Sequence, residues 1–395
     1  QERRRPLFGK TAVAFALLIQ RHYLGRTRLL TITLGLLTAL PLTLSQFAER
    51  TEVALQSRAV KSPLLAGAPG SRYDLSLRAL YFRGAALKVV PYRMLRMLQE
   101  ERRGVIIPLH LRLSAGGAPL VGTSPEYYER RGLLLERGTP PLLTGQVALG
   151  ASAAARLGLQ LGDELMSDQA NLYDLSASYP LKMKVVGLFK ESGEPEDDVV
   201  FTSLETAWII EGIGHGHQSD TSRSANEGST VISYGAAQVR EQQVNSQNRG
   251  SFHFHGDPED RPLSAFLIFP TDQRAETLLY AKQKANPALL FLRPREVVKE
   301  LLQVFTKLKL IFTTGFLFVL SLVMLLTVLV LTLSWNARRE ERVLLCALGA
   351  SRTQQVLITT AEFLSLTILT AFLTLIAIAL FTSPLAPFSL SLFGL

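Results

Sequence analysis

The sequence predicts a membrane protein of α-helical spans with a large α+β extracytoplasmic domain inserted between the first and second spans. Three observations carry that expectation. Leu310 to Trp335 is apolar throughout and has no ionisable side chain, and roughly 20 such residues cross about 30 Å of hydrocarbon. A second long apolar run, interrupted only by Glu362 among ionisable residues, extends from Val356 to Phe381, and a third, Leu29 to Ala48, lies near the N-terminus. Between Glu49 and Lys309 no stretch is long and apolar enough to span, and Gly and Pro interrupt it throughout.

The expected order is therefore an interfacial segment (residues 1–28), a first span (29–48), an extracytoplasmic domain (49–309) and a second span (310–335). A cytoplasmic link (336–355), a third span (356–381) and a short outer tail (382–395) complete it. Arg3, Arg4, Arg5, Arg21, Arg26 and Arg28 precede the first span, and Arg338, Arg339, Arg342 and Arg352 crowd the link. Short loops rich in Arg and Lys stay in the cytoplasm, so the segments carrying these residues are placed on the inner side of the membrane. The net charge of +9 thus belongs to membrane flanks rather than to a nucleic-acid groove, and no recognition motif accompanies it. The only cysteine, Cys346, falls on the link, which excludes an intramolecular disulfide. Gln1 is not an initiator residue, so an earlier segment is expected to have been removed or omitted.

Leu7 to Leu24 has apolar residues at Phe8, Ala12, Phe15 and Ile19 and polar ones at Lys10, Gln20 and Arg21. That spacing predicts a helix with one apolar face lying in the inner interface. A signal peptide is the other reading, although no small-residue cleavage site follows closely. Pro41 would kink the first span, which membrane helices tolerate. Within the large block, β-branched and apolar residues cluster at Val105–Arg112, Leu181–Phe189, Val199–Thr202 and Ser264–Pro270, predicting strands. Helical patterns intervene at Ser152–Leu159 and Pro294–Leu308, which together read as α+β in one or two lobes.

The link carries the most specific signal. Arg338-Arg339, Glu341, Leu344-Leu345 and Ala347-Leu348-Gly349-Ala350-Ser351-Arg352 form a short amphipathic pattern ending in a helix-stop glycine. It resembles the coupling segment of the MacB/FtsX/LolC-type ABC permeases, departing from it at Arg342, Val343 and Cys346, where that family has Ile, Gly and Arg. A second resemblance follows in order along the block: Val147-Ala148-Leu149-Gly150, Ala155-Arg156-Leu157-Gly158-Leu159 and Gly162-Asp163-Glu164-Leu165. Then come Lys184-Val185-Val186-Gly187-Leu188-Phe189 and Val200-Phe201-Thr202-Ser203-Leu204, and the set is similar to the periplasmic core of the same permeases.

The resemblance implies a non-enzymatic transporter subunit working as a homodimer or as a pair of similar permeases. ATP and magnesium would be bound by a separate cytoplasmic ABC ATPase, with a periplasmic adaptor or substrate-binding protein and membrane lipids as further partners. It implies coupling through Arg338, Arg339, Glu341, Leu344, Leu348, Gly349 and Ser351, and mechanical transmission to the outer domain for export or extraction of a substrate. It also implies a fourth span, which the proline-broken residues 382–395 are too short to supply. The chain has no G-x-x-x-x-G-K-[ST] loop, so the motor is not on it, and no G-x-S-x-G elbow.

Two features stand outside this pattern. Glu362 falls in the cytoplasmic third of the last span, where an ionisable group faces protein or water, or snorkels. Of six histidines, four form two H-x-H pairs, His215/His217 and His253/His255, with Asp257 following the second. Residues two apart on a strand share a face, and imidazoles with a carboxylate form a ligand set for zinc. The plainer reading has these histidines capping turns beside Gly216 and Gly256. His110 could join such a site or be a strand residue, and His22 is expected at the interface. Besides the permease, two other functions fit: a membrane-anchored zinc-binding component, and a signalling scaffold that activates a cell-envelope partner.

Overall fold

The computed structural model describes residues 5–168, 180–215, 244, 248–284 and 286–382. The chain begins with α1 (Arg5–His22) and α2 (Leu24–Val60) and continues through β1 (Leu64–Gly67), α3 (Arg72–Tyr81), β2 (Val90–Pro91) and α4 (Arg93–Glu100). Then follow β3 (Gly104–Ala115), β4 (Ala118–Thr123), α5 (Glu126–Arg131), β5 (Leu135–Gly138), β6 (Gln146–Leu149), α6 (Ala151–Leu157) and β7 (Glu164–Met166). Next come β8 (Lys182–Phe189), β9 (Val200–Ser203), α7 (Leu204–Ile210), β10 (Gly214–His215), β11 (His253–Phe254), β12 (Pro262–Leu263) and β13 (Ala265–Pro270). The last elements are α8 (Gln273–Lys284), β14 (Leu290–Leu292), α9 (Pro294–Ala337), α10 (Arg339–Ala347) and α11 (Arg352–Thr382).

Two units emerge: a helical one, up to Ala54 and from Leu301 onward, and a sheet-bearing one, Leu55 to Glu300. In the helical unit, α2, α9 from Lys309 and α11 are each long and apolar enough to cross a membrane. The flanking helices outrun the expected spans. α2 continues to Val60 rather than ending at Ala48, and α9 starts at Pro294, so the helical pattern at 294–308 and the following span are one helix. At 1.5 Å per residue its 44 residues measure about 66 Å.

The N-terminal segment also departs from expectation. α1 and α2 are separated only at Tyr23, and the ladder continues across it: Tyr23 N–H donates to Ile19 O at 2.9 Å and Thr27 N–H to Tyr23 O at 3.1 Å. α1 packs against α11 rather than standing apart as a surface helix. Its buried Gln20 donates to Glu362 O (2.9 Å) and Ser365 Oγ (2.7 Å). Of the polar residues that marked this helix, Gln20 is spent on a neighbouring helix, while Arg21 is exposed.

The sheet unit is built on one mixed sheet, in the order β14-β1-β13-β3-β4-β9-β6-β8-β5, with β7 on β8. The block expected as one or two lobes thus carries a continuous sheet. Strand β3 shows why its sequence reads as a nearly unbroken apolar run. Ile107, Leu109 and Leu111 enter one core with Leu75, Leu80, Tyr127 and Phe201, while Ile106 enters another with Leu95, Leu98, Phe266 and Leu279. Alternate residues bury on opposite faces, each covered by helices. The three family-like pieces of sequence become β6–α6, β7–β8 and β9. β6 lies between β9 and β8, antiparallel to the first and parallel to the second. Gly150 joins β6 to α6 where a Cβ would stand 2.1 Å from Glu196 O, so only glycine allows that close backbone approach.

Candidate functional site

Helix α10 is bounded by two local devices. At its end Gly349 has φ +90°; Ala350 N–H donates to Leu345 O and Gly349 N–H to Cys346 O, both at 2.9 Å. These are the paired bonds of a Schellman stop, which needs a left-handed residue after the cap. Ser351 then opens α11: Gln354 N–H donates to Ser351 Oγ (3.3 Å), and Ser351 N–H donates back to Gln354 Oε1 (2.8 Å). This reciprocal capping box follows the helix stop almost at once, so the turn between α10 and α11 is short and closely determined.

The faces of α10 are unequal. Leu344 and Leu348, one helical turn apart, are 64% and 78% exposed, whereas Leu345 and Arg342 turn inward. Arg342 donates to Trp335 O, and its guanidinium stacks 4.0 Å from the Trp335 ring centroid. Arg339 is exposed. Arg338 instead reaches α11, with Nη2 3.1 and 3.3 Å from the two oxygens of Glu362.

Glu362 is the centre of this arrangement. It is buried, and Arg26 of α2 pairs with it from another side. Tyr23 lies under both guanidiniums, its ring centroid 5.4 Å from Arg26 and 5.3 Å from Arg338, and its hydroxyl donates to Glu341 Oε1 at 3.2 Å. One carboxylate thus ties together α10, α11 and the α1–α2 junction. Sequence reading singled out Arg338, Glu341 and Glu362 separately but missed Tyr23 and Arg26 as the parts that join them. The surplus of arginine before the first span was the available signal. A cavity of about 1200 Å³ adjoins the same residues, lined by Val13 and Ile19 of α1, Trp335 of α9, Leu344 and Leu345 of α10 and Phe363 of α11.

The histidines fall into two groups. β10 and β11 pair antiparallel, setting His215 opposite His253 and Gly214 opposite Phe254. His255 N–H extends the ladder by donating to Ile213 O at 3.0 Å. Phe254 packs against Trp208, with centroids 6.2 Å apart, while the rings of His215, His253 and His255 lie 4.8 to 4.9 Å from one another. Asp257 is not with them. Its carboxylate accepts from Glu259 N–H and caps its own turn, and Glu259 and Asp260 pair with Arg96 and Arg93. His217 lies outside the described residues. His110 is wholly buried on β3, its Nε2 2.7 Å from Glu211 Oε2, so it belongs to a separate ion-paired cluster with Arg112. Burial alone would raise the Glu211 carboxyl, but the His110 hydrogen bond and charge, with Arg112, hold it below the ordinary range.

A further ionic site anchors the end of α2 within the sheet unit. Arg58 is buried and donates from both terminal nitrogens to Glu196, at 2.7 and 2.8 Å, and from Nε to Leu80 O. Tyr127 donates to Glu196 at 2.7 Å. Burial opposes charge on both partners. The Glu196 charge nevertheless raises Arg58, and the charge and hydrogen bonds of Arg58 hold Glu196 below the usual carboxylate range. Sequence reading missed this pair because nothing local connects residues 138 positions apart.

No protein-family model matches the chain, and no curated protein matches it. Solved structures similar to it include the periplasmic region of MacB from Actinobacillus actinomycetemcomitans, at 10% identity and TM-score 0.34, covering 61% of this chain and 92% of that one. Another is the extracellular domain of the noncanonic ABC-type transporter YknZ from Gram-positive bacteria, at 10% identity and TM-score 0.31, covering 58% and 99%. A third is a domain of a permease protein from Porphyromonas gingivalis, at 12% identity and TM-score 0.26, covering 58% and 86%.

Proposed function

We propose that the chain is the membrane subunit of an ABC transporter of the MacB/FtsX/LolC kind, driven by a separate cytoplasmic ATPase that binds ATP and magnesium. The coupling-segment and core motifs point to that family. The observation that carries the mechanism is the Glu362 junction. A load on α10 is felt at once by α11 through Arg338–Glu362, and by the α1–α2 junction through Tyr23 and Arg26. Leu344 and Leu348 offer the exposed apolar pair that a partner ATPase would grip. The ion pairs act as the joint, and the long helices α2 and α9 act as rods that carry the displacement outward to the sheet unit. ATP energy then becomes mechanical work on a substrate outside the inner membrane, with the subunit acting in a homodimer or a permease pair. A periplasmic adaptor or substrate-binding protein would receive that work.

Cys346 provides the test, since it is the only cysteine and is exposed on α10. A membrane-impermeant maleimide should label it in inverted vesicles and leave it unlabelled in right-side-out ones. The protein should also co-purify with an ABC ATPase, and Leu344→Asp with Leu348→Asp should abolish that association. Labelling from the outside would overturn the proposal.

A further inference from the structure

We propose that His215, His253 and His255 form a binding site for a divalent transition-metal ion of the zinc type. The nitrogen atoms that would bind it already lie within 4.8 Å of one another. Four-coordinate zinc at about 2.0–2.1 Å from each nitrogen needs them roughly 3.3 Å apart, a contraction that side-chain rotation supplies because His253 and His255 are exposed.

The backbone sets the convergence. Cross-strand neighbours on one face of an antiparallel pair stand about 4.5–5.5 Å apart at Cβ, which places His215 beside His253. The ladder bond from His255 to Ile213 keeps the strand extended for one more residue, so that His255 shares the face of His253 while Phe254 takes the other.

A second observation concerns the proton. His253 Nδ1 lies 3.3 Å from the carbonyl oxygen of Ser251, which can only accept. With the hydrogen on Nδ1, Nε2 is the atom that would turn to a metal, and the Nδ1 contact is the outer bond by which ligand histidines are usually oriented. Three imidazole nitrogens, with no carboxylate in the cluster among the described residues, suit a zinc-type ion and suit magnesium or calcium poorly. A fourth position is left for water or another donor. The two strands pair over only two residues each, and isolated pairings of that size are marginal. A bound ion would pin β10 to β11.

The test uses the full chain in detergent, stripped with chelator and titrated calorimetrically with zinc chloride. One equivalent should bind per chain. His253→Ala and His255→Ala should each weaken binding by about tenfold or more, the triple variant including His215→Ala should lose it, and His22→Ala should leave it unchanged. Cobalt in the wild-type protein should give the intense visible absorption of a low-coordinate nitrogen site, a readout that does not depend on the variants folding. Undiminished zinc binding in a folded triple variant, equal binding of magnesium, or the weak spectrum of fully hydrated cobalt would each overturn the site. None of these results depends on Cys346 labelling or ATPase association, so the site and the permease reading fail separately.

Discussion

Glu196 and Glu362 are both buried carboxylates held by arginine, yet their surroundings give them opposite mechanical characters. Glu196 sits in the sheet unit against Arg58, whose side chain is 2% exposed and is also tied to a backbone carbonyl, with Tyr127 completing the set. Glu362 is gripped by Arg26 and Arg338, which remain 21% and 14% exposed, beside a cavity of about 1200 Å³. The first pair is enclosed by packed side chains and cannot rearrange without opening a core. The second joins four helical segments beside that cavity, and its two arginines keep part of their surface exposed. A charge pair is thus an anchor or a joint according to the packing around it.

The largest expected effect breaks the anchor. Glu196→Gln takes away the two-pronged partner of buried Arg58 and leaves it only the single contact to Glu194 at 3.2 Å, and removing one member of such a pair costs about 3–5 kcal/mol. Urea unfolding of the full chain should show the loss in the transition assigned to the sheet unit. The same pair predicts an acid dependence. The folded Glu196 carboxyl titrates below its ordinary value of 4.5, so its stabilisation is complete above about pH 4.5 and is lost as pH falls through the lowered folded value. Glu211 acts in the same sense. Acid unfolding followed by near-ultraviolet circular dichroism should therefore be less steep in Glu196→Gln, and equal steepness would remove the carboxylate from the account.

The joint should respond differently. Glu362→Gln is expected to leave the sheet unit's unfolding unchanged while reducing the coupling of ATP turnover to transport by about fivefold or more, the ordinary range of a coupling energy. Reconstituted complexes measure both quantities, and a variant with a destabilised sheet unit and unchanged coupling would reverse the contrast. Gly349→Val should cost about 1–2 kcal/mol, because a branched residue is forced to φ +90°. The space around Gly349 is open, so the penalty is one of backbone alone and should appear as uncoupled ATP turnover in a folded protein. The smallest effect is Ser351→Ala, about 1 kcal/mol from the lost cap, detectable as a modest fall in thermal stability of the helical unit.

What could be read from the sequence followed the range of the forces involved. The apolar runs and the stop at Gly349 are local patterns, and the structure places helices there. Strands β3, β8, β9 and β13 were visible as β-branched clusters. The sequence did not announce the two-residue strands β10 and β11, whose periodicity is too short to register, although the H-x-H spacing marked His253 and His255. Asp257 was grouped with them because it is near in sequence, but its carboxylate is used by its own turn. The Arg58–Glu196 and Arg26–Glu362 pairs depend on distant segments meeting, which no local pattern encodes. The apolar stretch to Ala48 was legible, but the helix that carries it runs on to Val60 past the polar residues that follow.

The unbroken length of α9 has one more consequence. It has no proline after its first residue, whereas α2 carries Pro41 at mid-length, and proline inside a helix lowers its bending stiffness by removing a rung of the ladder. Of the two long helices, α9 is therefore the stiffer and α2 the one more readily bent.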